Sequence, residues 1–554
     1  MSNLTDSKRL LIIFLLIVAT QVLLWSRLFD VTVRRGHEFL SLSQNNRQFT
    51  RRYPAERGII LDRYGEPLVY NQKVYFQYAD PQALYSDKLA IEMDEALSRM
   101  ATDSASVGYD FDRVYPHKEA LATALGYVSM ITAEDLADNR SLALTSRLGR
   151  TGLEAVFDNL LASQPSLAKF EVNALGKTQR LLSTTAATYG RNLQSTLDAQ
   201  LSTLAYQAMK GKQGAVVILD AKNGAVLTLL SAPSFDPNLF NDSKLHQKEI
   251  RAYLQDERKV FFNRALSGSY PPGSVFKLVT AVAALQESAI DADSQVQDEG
   301  VLKVGDFSYA NWYYTQYGRV EGAVDLQKAL ARSNDIFFYK AAEWLGPTKL
   351  ANYSRMFGLG ERSGIEAMSE NRGLVPDPAW KEKQRGEPWY LGNTYHFGIG
   401  QGDLLVSPLQ VASMTQAIAN QGVLCQPTLL SEKAVQCRSL ALDQDNVDQV
   451  IKGMVSACSS GGTAYPIFPL NEKYPNLVAC KTGTAEFGAA DDRGYRPTHA
   501  WLTAIVNLLP EQLPHLPRQL IITVLVESDE AKIYREGSQD AAPVVAEILI
   551  GLGL

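Results

Sequence analysis

Tyr270-Pro271-Pro272-Gly273-Ser274-Val275-Phe276-Lys277-Leu278-Val279 is the stretch around which this chain is organised. Its prolines bar helix before Gly273, and the glycine permits close backbone approach. The residues after Ser274 are apolar almost all round, through Ala281-Val282-Ala283-Ala284-Leu285, so a buried helix is predicted to begin at Ser274. Residues three apart share a helix face, which puts the Lys277 amine one turn from the Ser274 hydroxyl. Burial strips hydration from an ammonium and lowers its pKa, so a neutral amine able to take the serine proton becomes accessible. The helix N-terminus favours negative charge developing at the same place. The competing reading is a core-helix lysine snorkelling to solvent, and S-V-F-K alone does not separate the two.

S-x-x-K fixes only two positions and arises about once or twice by chance in a chain of this length. A second copy, Ser166-Leu167-Ala168-Lys169, follows Gln164-Pro165 in polar sequence with no apolar helix after it, and is read as meaningless. Two further strings decide for the first copy. Lys481-Thr482-Gly483-Thr484 lies in Leu477-Val478-Ala479-Cys480-Lys481-Thr482-Gly483-Thr484-Ala485, which reads as a strand with a glycine near its end. Alternation places Lys481 and Gly483 on one face, with Cys480 and Thr482 on the other. Gly483 is expected to leave its face open beside the nucleophile. An extended peptide could then lie along the strand, Lys481 attracting its terminal carboxylate and a hydroxyl of Thr482 or Thr484 binding it. Ser333-Asn334-Asp335 precedes the apolar run Ile336-Phe337-Phe338-Tyr339 and by itself is ordinary helix N-cap sequence. Lying between the other two strings, it supplies polar groups opposite the serine.

The three strings together resemble the serine acyltransferases that penicillin inactivates. The resemblance runs through most of the chain. Arg57-Gly58-Ile59-Ile60-Leu61-Asp62-Arg63-Tyr64-Gly65 is similar to an R-G-x-I-x-D-R-N-G signature, with Tyr64 in place of asparagine, and Gly149-Arg150-Thr151-Gly152-Leu153-Glu154 is similar to G-x-x-G-L-E. Asn263-Arg264-Ala265, Gly398-Ile399-Gly400-Gln401-Gly402 and Ser407-Pro408-Leu409-Gln410 are also family-like. The chain thus resembles class B penicillin-binding proteins, and S-x-D followed by Phe-Phe-Tyr resembles the elongation-type penicillin-binding protein 2 rather than the division type.

That resemblance implies a peptidoglycan D,D-transpeptidase inhibited by β-lactams, with a possible D,D-carboxypeptidase side activity. Ser274 is the expected nucleophile and Lys277 its base; Ser333 and Asp335 relay or orient protons. Lys481 with Thr482 or Thr484 holds the substrate carboxylate, and the backbone N–H groups of Ser274 and Thr484 form the oxyanion hole. No metal or organic cofactor is expected. Peptidoglycan stem peptides, a SEDS-family glycosyltransferase and the elongation machinery are the implied partners. A division-type transpeptidase, a β-lactamase or β-lactam sensor, and a catalytically idle scaffold are the alternatives. Glu361, Glu366 and Glu370 are the carboxylates a β-lactamase would need for deacylation.

Composition agrees with an exported multidomain enzyme, since 554 residues exceed one core, 46% are hydrophobic, and a net charge of −6 argues against a nucleic-acid binder. Residues 1–9 read as a cytoplasmic tail and 10–29 as a transmembrane signal anchor, with Lys8-Arg9 and the family favouring an inward N-terminus. This puts a single-pass protein in the inner membrane with its catalytic domain outside the cytoplasm. Residues 30–192 are expected to form a mixed α/β pedestal, akin to a dimerisation domain, and 193–554 the transpeptidase domain. There Gly214 to Asp220 and Ala225 to Ser231 flank the hairpin signal Asn223-Gly224. Further strands at 477–485, 499–507 and 519–527, and a helix near 541–552, give an α+β domain; the resemblance makes it β-lactamase-like, with a five-stranded antiparallel sheet flanked by helices. The four cysteines, Cys425, Cys437, Cys458 and Cys480, allow three pairings into two bridges, one disulfide, or buried free thiols. Neither C-x-x-C nor H-E-x-x-H occurs, so a zinc site is unsupported. His499 reads as structural.

Overall fold

The computed structural model describes residues 3–79, 88–102, 106–138, 147–173, 177–242, 245–367, 369–492, 494–508 and 511–554. Its first element is a 27-residue helix, Asn3–Phe29. At about 1.5 Å per residue this exceeds the roughly 30 Å of a bilayer core. The apolar span has a mean hydropathy of 2.2 and no buried part, so it is long and apolar enough to cross a membrane. Residues 10–29, the expected anchor, lie within it.

The chain forms two compact units that interleave in sequence. The first comprises Met1–Gly58, Asn71–Asp112 and Ala162–Gly190. In it Ser166–Val172 is the middle strand of a three-stranded sheet, between Gln48–Tyr53 and Thr178–Thr185. The second S-x-x-K string is part of that strand, and Ser166 Oγ donates to the Thr185 carbonyl, as its lack of chemical context suggested.

The second unit comprises Ile59–Tyr70, Arg113–Leu161 and Arg191–Leu554. Two of the family-like signatures act here as structural fasteners. Asp62 accepts the Tyr64 and Glu66 amides and closes a turn, while the Tyr64 hydroxyl donates to Asp198. Glu154 is fully buried and pairs with Arg113 at 2.7 Å.

Asp198 caps helix α1 (Ala199–Ala208) by accepting the Leu201 amide. Strands β1 (Gly214–Asp220) and β2 (Val226–Ala232) follow as the hairpin expected around Asn223-Gly224. Three later strands, β3 (Val478–Glu486), β4 (Thr498–Asn507) and β5 (Gln519–Val526), complete an antiparallel sheet in the order β2-β1-β5-β4-β3. The α+β expectation therefore holds, with the K-T-G strand at the sheet edge.

Alternation along the strands explains why a sheet this apolar is buried on both faces. Val217, Leu219, Ala479, Trp501, Ile505 and Leu525 join one core with helix α2 (Lys277–Gln286), helix α3 (Leu326–Arg332) and helix α4 (Asp335–Leu345). Val216, Ile218, Val478, Leu502, Ile522 and Val524 face the other way, onto α1 and the C-terminal helix Ala542–Gly551. Burying α2 on every side forces its lysine into the core.

Both disulfides form, Cys425–Cys437 and Cys458–Cys480, which resolves the pairings left open by sequence and removes the free-thiol alternative. Cys458 ends the helix Gln444–Ala457, and Cys480 immediately precedes Lys481.

Candidate active site

The approach to the nucleophile is latched to the sheet before the serine is reached. Tyr270 donates from its hydroxyl to Glu527 at 2.5 Å, and Arg264 holds the other oxygen of that carboxylate at 2.8 Å. Trp501 donates its indole N–H to the Pro271 carbonyl at 3.0 Å. Gly273 adopts φ +55° and donates to the Gly400 carbonyl, so the 398–402 loop braces the turn from its other side.

At this point the structure corrects the expected helix start. Gly273–Phe276 form a 3₁₀ turn, and α2 begins only at Lys277. The left-handed Gly273 and the two preceding prolines enter at an angle that favours the tighter turn. Ser274 sits in that turn, half-buried. Gly483 corrects a second expectation, because its face is not open. A Cβ there would meet Trp501 Cβ at 3.0 Å, the Pro272 carbonyl at 3.1 Å and Val275 Cγ1 at 3.2 Å. The glycine lets the nucleophile turn seat against β3 rather than leaving space for substrate.

Lys277 is fully buried, which excludes snorkelling. Its Nζ donates to Asp335 Oδ1 at 2.7 Å and to the Ser333 carbonyl at 2.8 Å, with a longer contact of 3.4 Å to Ser333 Oγ. Among the described residues it makes no hydrogen bond to Ser274; its hydrogen bonds go to Ser333 and Asp335. Burial pushes the Lys277 amine below the ordinary lysine range, and the Asp335 carboxylate pulls partly back.

Ser333 and Asp335 are not the helix N-caps that their sequence suggested. Ser333 ends α3 with φ +54°, in the left-handed region, and Asn334 caps α4 by accepting the Phe337 amide at 2.9 Å. This frees both flanking groups for Lys277. Asp335 is itself held from outside: Trp312 N donates to its Oδ2 at 3.0 Å, and Asn311 Oδ1 accepts its backbone N–H at 3.1 Å. Asn311 and Trp312 were not singled out from the sequence, where nothing local connects them to a residue more than twenty positions away.

Lys481 is the second buried amine and donates to the Thr482 carbonyl at 3.0 Å. Burial drives it well below the usual range and the nearby charge of Lys277 adds to this, with Asp335 opposing. The two threonines divide. Thr482 is buried with its hydroxyl against Thr463 at 2.7 Å, whereas Thr484 is exposed, its hydroxyl accepting a 3.5 Å contact from the Gly537 amide.

Among the described residues, the outer edge of β3 has no strand partner. Gln401, with its amide turned to satisfy both groups, donates to the Glu486 carbonyl at 3.2 Å and accepts from the Glu486 amide at 3.1 Å. Glu486 therefore points its peptide groups away from β4. Strand geometry repeats every two residues, and the β3–β4 register is unbroken, so the Thr484 N–H projects from the same free edge. The Thr484 carbonyl would be only 2.9 Å from a Cβ on Gly273, which places this edge beside the nucleophile turn.

His499 is structural in its contacts. It stacks on Phe487 at 4.0 Å, its Nδ1 accepts the Ser528 amide, and burial lowers its pKa to about 4 against the opposing charge of Glu527.

Comparison with known proteins agrees with this geometry. Residues 214–549 match the penicillin binding protein transpeptidase domain, and residues 95–195 match the penicillin-binding protein dimerisation domain. The chain is 28% identical to the peptidoglycan D,D-transpeptidase MrdA of Haemophilus influenzae, over 98% of its own length and 91% of the relative's. It is 30% identical to MrdA of Escherichia coli K12, over 88% and 86% of the two chains. Among solved structures, a chain of a peptidoglycan synthase complex that coordinates polymerization and crosslinking superposes with a TM-score of 0.75 at 26% identity, over 98% of both chains. The penicillin-binding protein (PBP2) of Helicobacter pylori, solved with MreC, gives 0.72 at 25% identity, over 91% of this chain and 98% of that one. With the transpeptidase match spanning more than half its length and a 30% identical relative covered over 86% of its own length, this chain belongs to the penicillin-binding protein transpeptidase family.

Proposed function

We propose that this chain is a peptidoglycan D,D-transpeptidase of wall elongation that works through a serine acyl-enzyme. The observation that carries the mechanism is the buried Lys277 amine, one turn from Ser274 and held by Ser333 and Asp335. Ser274 Oγ attacks the carbonyl between the last two D-alanines of a donor stem peptide, and its proton passes to Lys277. The developing oxyanion sits between the N–H groups of Ser274 and Thr484. Collapse breaks the C–N bond, and the departing D-alanine takes the proton back through Lys277 and Ser333. An amine of a neighbouring stem peptide then attacks the acyl carbon, loses its proton along the same route and restores the serine. Water in place of that amine gives the carboxypeptidase side reaction.

Lys481 and exposed Thr484 bind the terminal carboxylate, and Thr482 supports them from beneath. A β-lactam enters the same path and is retained as an acyl-enzyme. The alternative of a β-lactamase is disfavoured because two of its candidate carboxylates are already engaged. Glu366 is bound by Thr428, the Leu429 amide and Lys433, and Glu370 accepts the Ser363 amide.

We assign the pedestal to residues 30–192 and the transpeptidase domain to 193–554. The N-terminal helix holds the protein in the inner membrane with both disulfides on the oxidising side, which is where such bridges persist. A SEDS-family glycosyltransferase and the elongation apparatus are the proposed partners; the structural relatives solved with MreC and in a synthase complex favour this.

The test is in vitro crosslinking of nascent glycan carrying pentapeptide stems. Full-length protein with a polymerase is expected to yield dimeric muropeptides, and Lys277→Ala to lower the rate at least about a hundredfold. Dimers formed equally well by that variant would remove the lysine from the mechanism. In cells, depletion is expected to impair cell shape, whereas loss of a division-type enzyme would block septation instead.

A further inference from the structure

Asp298 is 1% exposed, and among the described residues no cation pairs with it. Four N–H donors converge on its carboxylate instead. Oδ1 accepts from the Gly300 amide at 2.7 Å; Oδ2 accepts from Asn311 Nδ2 at 2.7 Å, from Asn334 Nδ2 at 2.7 Å and from the Glu321 amide at 3.3 Å. The nearby Glu321 carboxylate is taken up by Arg332 and Lys328.

Each asparagine has one donating and one accepting end, so the end that meets Asp298 dictates what the other can do. Giving Nδ2 to the carboxylate leaves Asn311 Oδ1 to accept the Asp335 amide, and leaves Asn334 Oδ1 to cap α4 at Phe337. Those two contacts fix the backbone from which the Asp335 carboxylate reaches Lys277 Nζ at 2.7 Å. An asparagine at position 298 could not serve, because either orientation turns an NH₂ group onto at least one existing donor. Only an anion accepts on both sides.

We propose that Asp298 is a positioning residue for the reaction, setting both asparagine amides and through them holding Asp335 against Lys277. It rests on the reading of Lys277 as the base. Asp298 touches neither substrate nor reacting atoms; Asp335 is the charged group that bears directly on Lys277, and Lys277 and Asp335 are those that bear on Lys481.

The test is the pH profile of acylation by a fluorescent penicillin, using full-length protein in detergent, for Asp298→Asn, Asp335→Asn and the double variant. Asp298→Asn is expected to slow acylation on the order of ten- to a hundredfold while the final labelled fraction stays near the parent's. Its acid limb moves to lower pH, because an Asp335 no longer held in place stops raising the Lys277 pKa. The double variant shows no shift beyond that of Asp335→Asn, since both changes act on one contact. A parent-like rate and limb, or a labelled fraction that falls with rate and limb unchanged, overturns the proposal. If Asp298→Asn yields no folded protein, Asn311→Ala cuts the same link and is read by the same criteria. Lys277→Ala separates the two layers: parent-rate acylation in it sinks the base assignment, while its inactivity beside an unperturbed Asp298→Asn sinks only the role of Asp298.

Discussion

Replacing Gly273 by alanine separates the seating of the nucleophile from the stability of the fold. At φ +55° the backbone is left-handed, which costs an L-residue about 1–2 kcal/mol. The added Cβ would stand 2.9 Å from the Thr484 carbonyl and 3.2 Å from Ala485 Cα and Cβ. Ordinary contact needs roughly half an ångström more, and the strand carbonyl cannot swing aside as a flexible side chain would. The turn must therefore lift off β3, carrying Ser274 away from the Thr484 N–H. Displacements on this scale are expected to slow acylation on the order of ten- to a hundredfold. Stability should fall by only about 2 kcal/mol, a loss of several degrees in melting temperature. The assay is the second-order rate of acylation by a fluorescent penicillin, alongside thermal unfolding of the same preparations. A variant that melts earlier but acylates at the parent rate would refute the idea that close packing of the turn on β3 sets the reactive geometry.

Asp335→Asn tests the electrostatics of the base directly. Burial lowers the Lys277 pKa and the Asp335 carboxylate raises it, so removing that charge lets the pKa fall further and moves the acid limb of acylation to lower pH. A limb that stays put, or moves to higher pH, would contradict the pairing. Replacing Cys458 and Cys480 together by alanine removes a cross-link over 22 residues, worth about 3 kcal/mol by loop entropy. Urea unfolding should show that loss, with slower acylation because Cys480 adjoins Lys481; coincident unfolding curves would count against the bridge as a tether of β3.

Much of the fold was legible because the local signals and the tertiary environment agree. Asn223-Gly224 between two apolar runs marks a hairpin wherever it occurs, and the strands at 478, 498 and 519 carry alternating faces that both find helices to cover them. The site was legible as a set of residues but less so as a geometry. Nothing in Ser-Asn-Asp announces that the central asparagine is the cap, since all three residue types cap helices; the left-handed turn at Ser333 decides it. Gly483 reads as open space from alternation alone, because the sequence does not reveal that Pro272 and Val275 come to rest on it. The supports of Asp335 and of the β3 edge, Asn311, Trp312 and Gln401, lie far away in sequence and are joined only by the fold. Gln401 carried a signal in its glycine-rich setting; Asn311 and Trp312 carried none.

The central claim is that Ser274 is the acylated nucleophile of a transpeptidase, and mass spectrometry after incubation with penicillin addresses it most directly. The account predicts one persistent penicilloyl adduct on intact protein, mapped to the peptide containing Ser274 and absent from a folded Ser274→Ala variant. An adduct on another residue, labelling of Ser274→Ala at the parent rate, or rapid hydrolysis of the drug without a lasting adduct would contradict it.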